Sequence, residues 1–306
     1  MTLVSRTQCS ALRFSAEPAP IGETNLGPGS AAHRFALRRA RDAKLLAAAT
    51  ILSIAMLTPT HGSDTVVLHA AGSLRGALTE VSNAFEKTSG VKVQAKYGVS
   101  GLLRDAIAGG EKAEVFASAN MEHPAALSKA GKSGPPSLFA RNRLCALVKP
   151  GLAATSANLL ALMLDPAIKL GTSTPKADPS GDYAFEVFRK ADHLKAGAND
   201  ALSGKALQLT GGPSSPTPSS DRSAYGALVT AGEADIFLTY CTGALVAQRE
   251  NPGQQIVALP DELAVGADYG MTVVNGASEN AEKLATFILS QQGQDILAKH
   301  GFAEAK

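Results

Sequence analysis

The chain has 306 residues, with 29 Lys or Arg against 27 Asp or Glu, a formal net charge of +2, 45% hydrophobic residues and 18% charged ones. That balance excludes a disordered chain, which lacks apolar residues to bury, and offers no basic excess of the kind nucleic-acid binding needs. Three cysteines and six scattered histidines, with no Cys-x-x-Cys, give zinc and thioredoxin-like chemistry no support.

Residues 1–62 read as a leader. The basic segment "RFALRRARDAK" is followed by an uncharged apolar run of 13 residues, Leu45 to Leu57, and then by small and polar residues. A membrane-spanning helix needs roughly 20 apolar residues, so this order is that of a secretory signal peptide rather than an anchor. Thr60 and Gly62 suggest cleavage just before Ser63, which leaves 244 residues. The leader carries seven Lys or Arg and three Asp or Glu, so the remainder has 22 basic and 24 acidic residues and a charge of −2. The basic pI of the whole chain therefore belongs to the leader. Cys145 and Cys241 remain, in a compartment where a disulfide is possible. Each sits in an apolar, strand-like run, and the expectation is two buried thiols, with pairing as the alternative.

From Thr65 the chain alternates apolar, β-branched runs with helical patterns, the signature of an α/β fold on largely parallel sheets. "TVVLH" is a strand that runs into "AAGSLRGAL", the start of a helix whose Leu74, Leu78, Val81 and Phe85 form one buried stripe. Next come "VKVQAKYG" as a strand, "SGLLRDAIAGG" as a helix, "AEVFASA" as a strand, and "EHPAALSKAG" as a helix closed by Gly131. "RLCALVKPG" is an apolar strand stopped by Pro150 and Gly151. A second set follows in "KLGTST", "GDYAFEVFRKADHLK" and "KALQLT". "TGGPSSPTPSSDRS" reads as a mobile loop. "AYGALVTAGEADIFLTY" is helix, turn and strand, "TGALVAQREN" a short helix, and "QQIVALP" a strand. "ADYGMTVV" and one long helix, "ENAEKLATFILSQQGQDILAKHG", close the chain. Apolar strands near Leu144 to Val148 and Met271 to Val274 stand where a chain would cross to a second lobe and return.

Ser73 and Ser100 share a context. Each follows a strand and a glycine-containing turn and stands at the start of an amphipathic helix, where unpaired N–H groups and the positive dipole end favour an anion. Serine is also a favoured N-cap, which is the plain structural alternative. Repetition at consecutive strand-to-helix turns points to a ligand, because open α/β sheets bind ligands at the carboxyl ends of their strands. Ser180, in "DPSGDYAFEVF", and Tyr240, ending "ADIFLTY", are further candidates. The Tyr240 phenol could equally reach a backbone carbonyl.

"AAGSL", "AFEKTSGVKV" and "YGVSGLLRDAIAGGEKAEVFASA" resemble the start of the periplasmic molybdate-binding proteins of ABC importers. "GEADIFLTY" is similar to the segment that supplies their binding tyrosine, and the likeness spans residues 65–302 in order and spacing. It implies a two-lobed periplasmic-binding-protein-like fold of type II, each lobe a mainly parallel sheet flanked by helices, with the ligand in the cleft. The implied lobes are 63–145 with 265–306, and 146–264. It also implies capture of molybdate or tungstate by neutral donors: the Ser73 and Ser100 hydroxyls, Tyr240 from the second lobe, and a backbone N–H at Ser180. Asp178 resembles a branch in which carboxylates join the shell around the metal of the oxyanion, with Asp221 as a second such group; its plain alternative is an exposed turn aspartate. A carboxylate beside an oxyanion is repulsive unless it binds the metal centre or is protonated.

No cofactor is implied beyond the molybdate or tungstate ligand. The implied partners are a membrane permease and its cytoplasmic ATPase; nucleic acid is not among them, and a monomer is expected. The alternative is a binding protein for another small anion or an organic solute. A hydrolase ranks lower, because "GVSGL" lacks the final glycine of Gly-x-Ser-x-Gly and no motif surrounds His69, His123, His193 or His300.

Overall fold

A computed structural model describes residues 65–216 and 222–305. The leader, its cleavage point and Asp221 lie outside the described residues.

The first half winds as β1 (Thr65–Ala71), α1 (Arg75–Ser89), β2 (Lys92–Gly98), α2 (Ser100–Ala108), β3 (Val115–Ala117) and α3 (Glu122–Lys129). Leu74, Leu78, Val81 and Phe85 are all buried, so the four-three-four spacing does set the inner face of α1. Gly90, at φ 74°, ends that helix in the left-handed conformation a side chain would resist.

The long strand β4 (Ser137–Val148) then leads into α4 (Leu159–Leu164), β5 (Leu170–Ser173), α5 (Pro179–Leu194), α6 (Ala198–Lys205) and β6 (Leu207–Thr210). After these come α7 (Ala224–Thr230), β7 (Ile236–Tyr240), α8 (Cys241–Glu250), β8 (Gln255–Ala258), β9 (Gly266–Val273), α9 (Glu279–Leu289) and α10 (Gln291–Lys299). The closing helix expected as one element is two. Ser290 has extended backbone, and its hydroxyl accepts the N–H of Gly293, capping α10 and ending α9.

The strands join in the order β2-β1-β3-β9-β4-β7-β5-β6, with β8 also on β4. The outer pairs are parallel: β1 with β2 and β3, β5 with β6 and β7. The two long strands run antiparallel to their neighbours. β4 changes partner midway, pairing β9 through Arg143 opposite Gly266 and β7 from Leu144 opposite Tyr240. A strand shared in this way carries the core across: one buried apolar cluster runs from Val66 and Leu78 through Phe139, Tyr240 and Tyr269 to Phe188 and Leu202.

Cys145 and Cys241 are not two thiols. They form a disulfide, with Cα atoms 4.9 Å apart, between β4 and the first residue of α8. Both runs are as apolar as the sequence suggested; the register Cys145 opposite Thr239 brings the start of α8 alongside.

Candidate functional site

The carboxyl ends of β1, β2, β5 and β7 carry the residues of interest. β1 ends at Ala71 and passes at once into a single 3-10 turn, Gly72–Leu74, so Ser73 sits inside that turn with α1 starting after it. Its hydroxyl caps neither helix and lies 3.0 Å from the phenol oxygen of Tyr269. Ser100 is the first residue of α2 rather than its cap, which is Val99. Ser100 is buried, and its Oγ accepts the backbone N–H of Ala119 at 3.2 Å. The capping alternative therefore fails for both serines.

Tyr240 ends β7 and is buried. Its hydroxyl donates to the carbonyl of Ala119 at 3.4 Å, the backbone partner the sequence left open. Its ring meets Tyr269 edge-on at 5.4 Å and Tyr183 at 6.2 Å. Burial pushes the phenol far up, with Tyr269 and Asp178 adding to that, so it stays protonated and remains a donor.

Asp178 is no exposed turn residue. It is the half-buried N-cap of α5, its Oδ1 accepting the N–H of Ser180 at 3.0 Å. That N–H, the donor expected of Ser180, is therefore engaged by Asp178, while the Ser180 hydroxyl is fully buried with no hydrogen-bond partner. Desolvation raises the Asp178 carboxyl to about 6; hydrogen bonds from Ser180 and Ser173 oppose the rise, and the charge of Asp182 adds to it.

These residues form one connected array. Ser100 and Tyr240 meet on the N–H and carbonyl of Ala119, and Tyr240 packs on Tyr269, which bonds Ser73. Next to Ser100, the N–H of Gly101 donates to the carbonyl of Ala177 at 2.9 Å, which brings the start of α2 onto the segment leading to Asp178. Three members were not anticipated. Tyr269 and Asn142, whose Nδ2 donates to the Tyr269 hydroxyl at 3.4 Å, come from the two long strands, and Ala119 contributes only backbone. Nothing local in "ADYGMTVV" or "RNRLCALVKPG" marks a polar group that acts on residues more than a hundred positions away.

No Lys or Arg side chain belongs to the array, and among the described residues no group of three or more His, Cys, Asp or Glu could hold a metal ion. His69, one of the histidines without a motif, is buried on β1, its pKa lowered by desolvation, and lies 3.4 Å from Glu111. It takes no part in the array. An open groove lined by Glu80, Lys87, Asp295 and Lys299 lies on α1 and α10, also apart from it. No helix among the described residues is long and apolar enough to cross a membrane.

Donors gathered at the ends of parallel strands can hold a small anion without a countercharge, as helix N-termini and hydroxyls do elsewhere. Known proteins share the fold. An uncharacterized protein of Pasteurella multocida is 33% identical over 237 residues, 77% of this chain and 97% of that one. The molybdate-binding protein ModA of Escherichia coli is 26% identical over 246 residues, 78% of this chain and 88% of its own. Among solved structures, the periplasmic molybdate-binding protein of Azotobacter vinelandii matches with a TM-score of 0.62 at 19% identity, covering 78% of this chain and 98% of that one. The sulfate-binding protein SubI of Mycobacterium tuberculosis matches with 0.64 at 20%, covering 78% and 86%. The fold is that of the periplasmic binding proteins, and a family profile matches residues 66–303: the chain belongs to the bacterial extracellular solute-binding proteins.

Proposed function

We propose that this protein captures a fully deprotonated tetrahedral oxyanion, molybdate or tungstate, in the periplasm and delivers it to an ABC permease driven by a cytoplasmic ATPase. The observation that carries this reading is the direction of the serine hydroxyls. Ser100 Oγ accepts a backbone N–H, so its own proton is free to donate, and Ser73 has no capping role to occupy it. A site of donors suits an anion that carries no proton, since a protonated one would leave an acceptor requirement unmet. Three of the similar proteins are named for molybdate or sulfate, which fits an oxyanion of this shape, while two others were solved with L-phospholactate or fructose-6-phosphate bound.

Residues 1–62 serve as the export signal, and the exported chain acts as a monomer. Its two lobes, 63–145 with 265–306 and 146–264, turn about β4 and β9 and close on the ligand, so that only an anion satisfying the buried donors holds them shut. Asp178, and Asp221 with it, would bind the metal centre directly. A second reading, another small anion or an organic solute, draws on the same carboxylate, because Asp178 is also suited to accept a ligand hydroxyl. Replacing Ser73 or Ser100 by alanine tests the site. Loss of one donor to a charged ligand costs about 1.5–3 kcal/mol, roughly 10- to 100-fold in affinity, while the unliganded protein, short of one internal hydrogen bond, stays folded and melts only a few degrees lower. Unchanged affinity in both variants would remove the site.

A further inference from the structure

The hydroxyl of Ser73 is set by a relay from the long strands. The Asn142 amide has a fixed orientation, because its Oδ1 accepts the backbone N–H of Arg143 at 2.9 Å. Its Nδ2 therefore faces the other way and donates to Thr242 Oγ1 at 2.8 Å and, more weakly, to Tyr269 Oη at 3.4 Å. Tyr269 is 0% exposed, so its single proton needs a protein acceptor, and an unmet donor there would carry the full desolvation penalty. Ser73 Oγ, at 3.0 Å, is the acceptor within reach. The phenol donates to the serine. Ser73 is itself only half-buried, and accepting from the phenol leaves its own proton for a partner outside the relay.

We propose that Tyr269, held by Asn142, is a positioning residue that fixes Ser73 as a donor toward the ligand and thereby selects deprotonated oxyanions over protonated ones. This rests on Ser73 being a ligand residue. A serine free of Tyr269 can rotate and offer a lone pair to a protonated anion; a serine that already accepts the Tyr269 proton is committed to donating. Tyr269 thus acts through Ser73, at the far end of a contact that spans 196 residues of sequence.

The test is a double-mutant cycle on the full chain, expressed, exported and stripped of bound anion, titrated with molybdate and with inorganic phosphate at a pH where phosphate carries a proton. Tyr269→Phe keeps the ring and removes only the hydroxyl. It is expected to weaken molybdate binding about 10-fold, the scale of one neutral hydrogen bond, and to narrow the preference for molybdate over phosphate by more than that weakening alone. In a Ser73→Ala background the same change is expected to do nothing further. Asn142→Ala supplies a second arm if Tyr269→Phe unfolds: it removes the amide that holds the Tyr269 hydroxyl without adding charge, and the fall in binding it causes is expected to vanish in a Ser73→Ala background. Equal losses with and without Ser73 would overturn the relay and leave the oxyanion site standing. A Ser73→Ala variant that binds as tightly as the unaltered protein would overturn the relay, and an unaltered protein that binds neither molybdate nor tungstate would overturn both.

Discussion

At the scale of single residues, the array turns on which hydrogen-bonding groups are already committed. Serine and tyrosine hydroxyls both donate and accept, and what each offers a ligand depends on the half the protein leaves free. Asp178 is the carboxylate described in the array, and its carboxyl, raised to about 6 by burial, titrates close to neutrality. Because the folded value lies above the ordinary 3.8, the contribution of Asp178 to stability is fully present below about pH 4 and is lost as the pH rises through about 6. Anion affinity has the same sign, since the carboxylate repels the ligand once it ionises without contacting a metal. Binding of sulfate, which offers no expandable metal centre, should weaken as the pH rises from about 5 to 8, and Asp178→Asn should flatten that slope while keeping the cap on α5. A slope retained in the variant would assign the titration to another group.

At the scale of elements, the contact that stands out is between the start of α2 and the segment before α5. Gly101 donates its N–H to Ala177, and a Cβ at Gly101 would lie 2.5 Å from the Ala177 carbonyl oxygen and 2.9 Å from that of Lys176. Lys176 is itself in the left-handed region, at φ 67°, with its N–H donating to Asp182. Backbone on backbone cannot yield as a flexible side chain can. Gly101→Ala should therefore hold α2 off this segment, enlarging the radius of gyration in X-ray scattering and weakening anion binding by about 10-fold or more. An unchanged radius and affinity would show that the two elements need not touch for the site to work. The elements themselves were largely legible in the sequence. Apolar, β-branched runs mark the strands of the sheet and helical stripes most helices, because burial of successive residues is a local property. What escaped is what local pattern does not encode. Ser290 interrupts an unbroken helical stripe by capping the next helix, and Ser73 enters a 3-10 turn where its position suggests a cap. The role of Asn142 depends on a pairing between strands far apart in sequence.

At the scale of the whole molecule, β4 and its disulfide hold the parts in relation. β4 passes from β9 to β7 at Arg143–Leu144, and Cys145, the next residue, is tied to Cys241 directly after Tyr240. The bond closes a loop of 96 residues, for which the chain-entropy treatment gives about 4–5 kcal/mol of stabilisation. Replacing both cysteines by alanine should lower the melting temperature by several degrees and make it indifferent to reductant; an unaltered protein whose melting ignores reductant would contradict this. The fold and the family follow from residues spread along the entire chain, which is why the sequence carries them well. The ligand depends on a few hydroxyl directions, which it carries poorly.

The most direct measurement is calorimetric titration of the exported, ligand-stripped protein with molybdate, tungstate, sulfate and phosphate in turn. Tight one-to-one binding of molybdate or tungstate, with sulfate and phosphate far weaker, is the predicted result. Failure to bind any of the four, or a preference for phosphate, would contradict a site built for a fully deprotonated oxyanion.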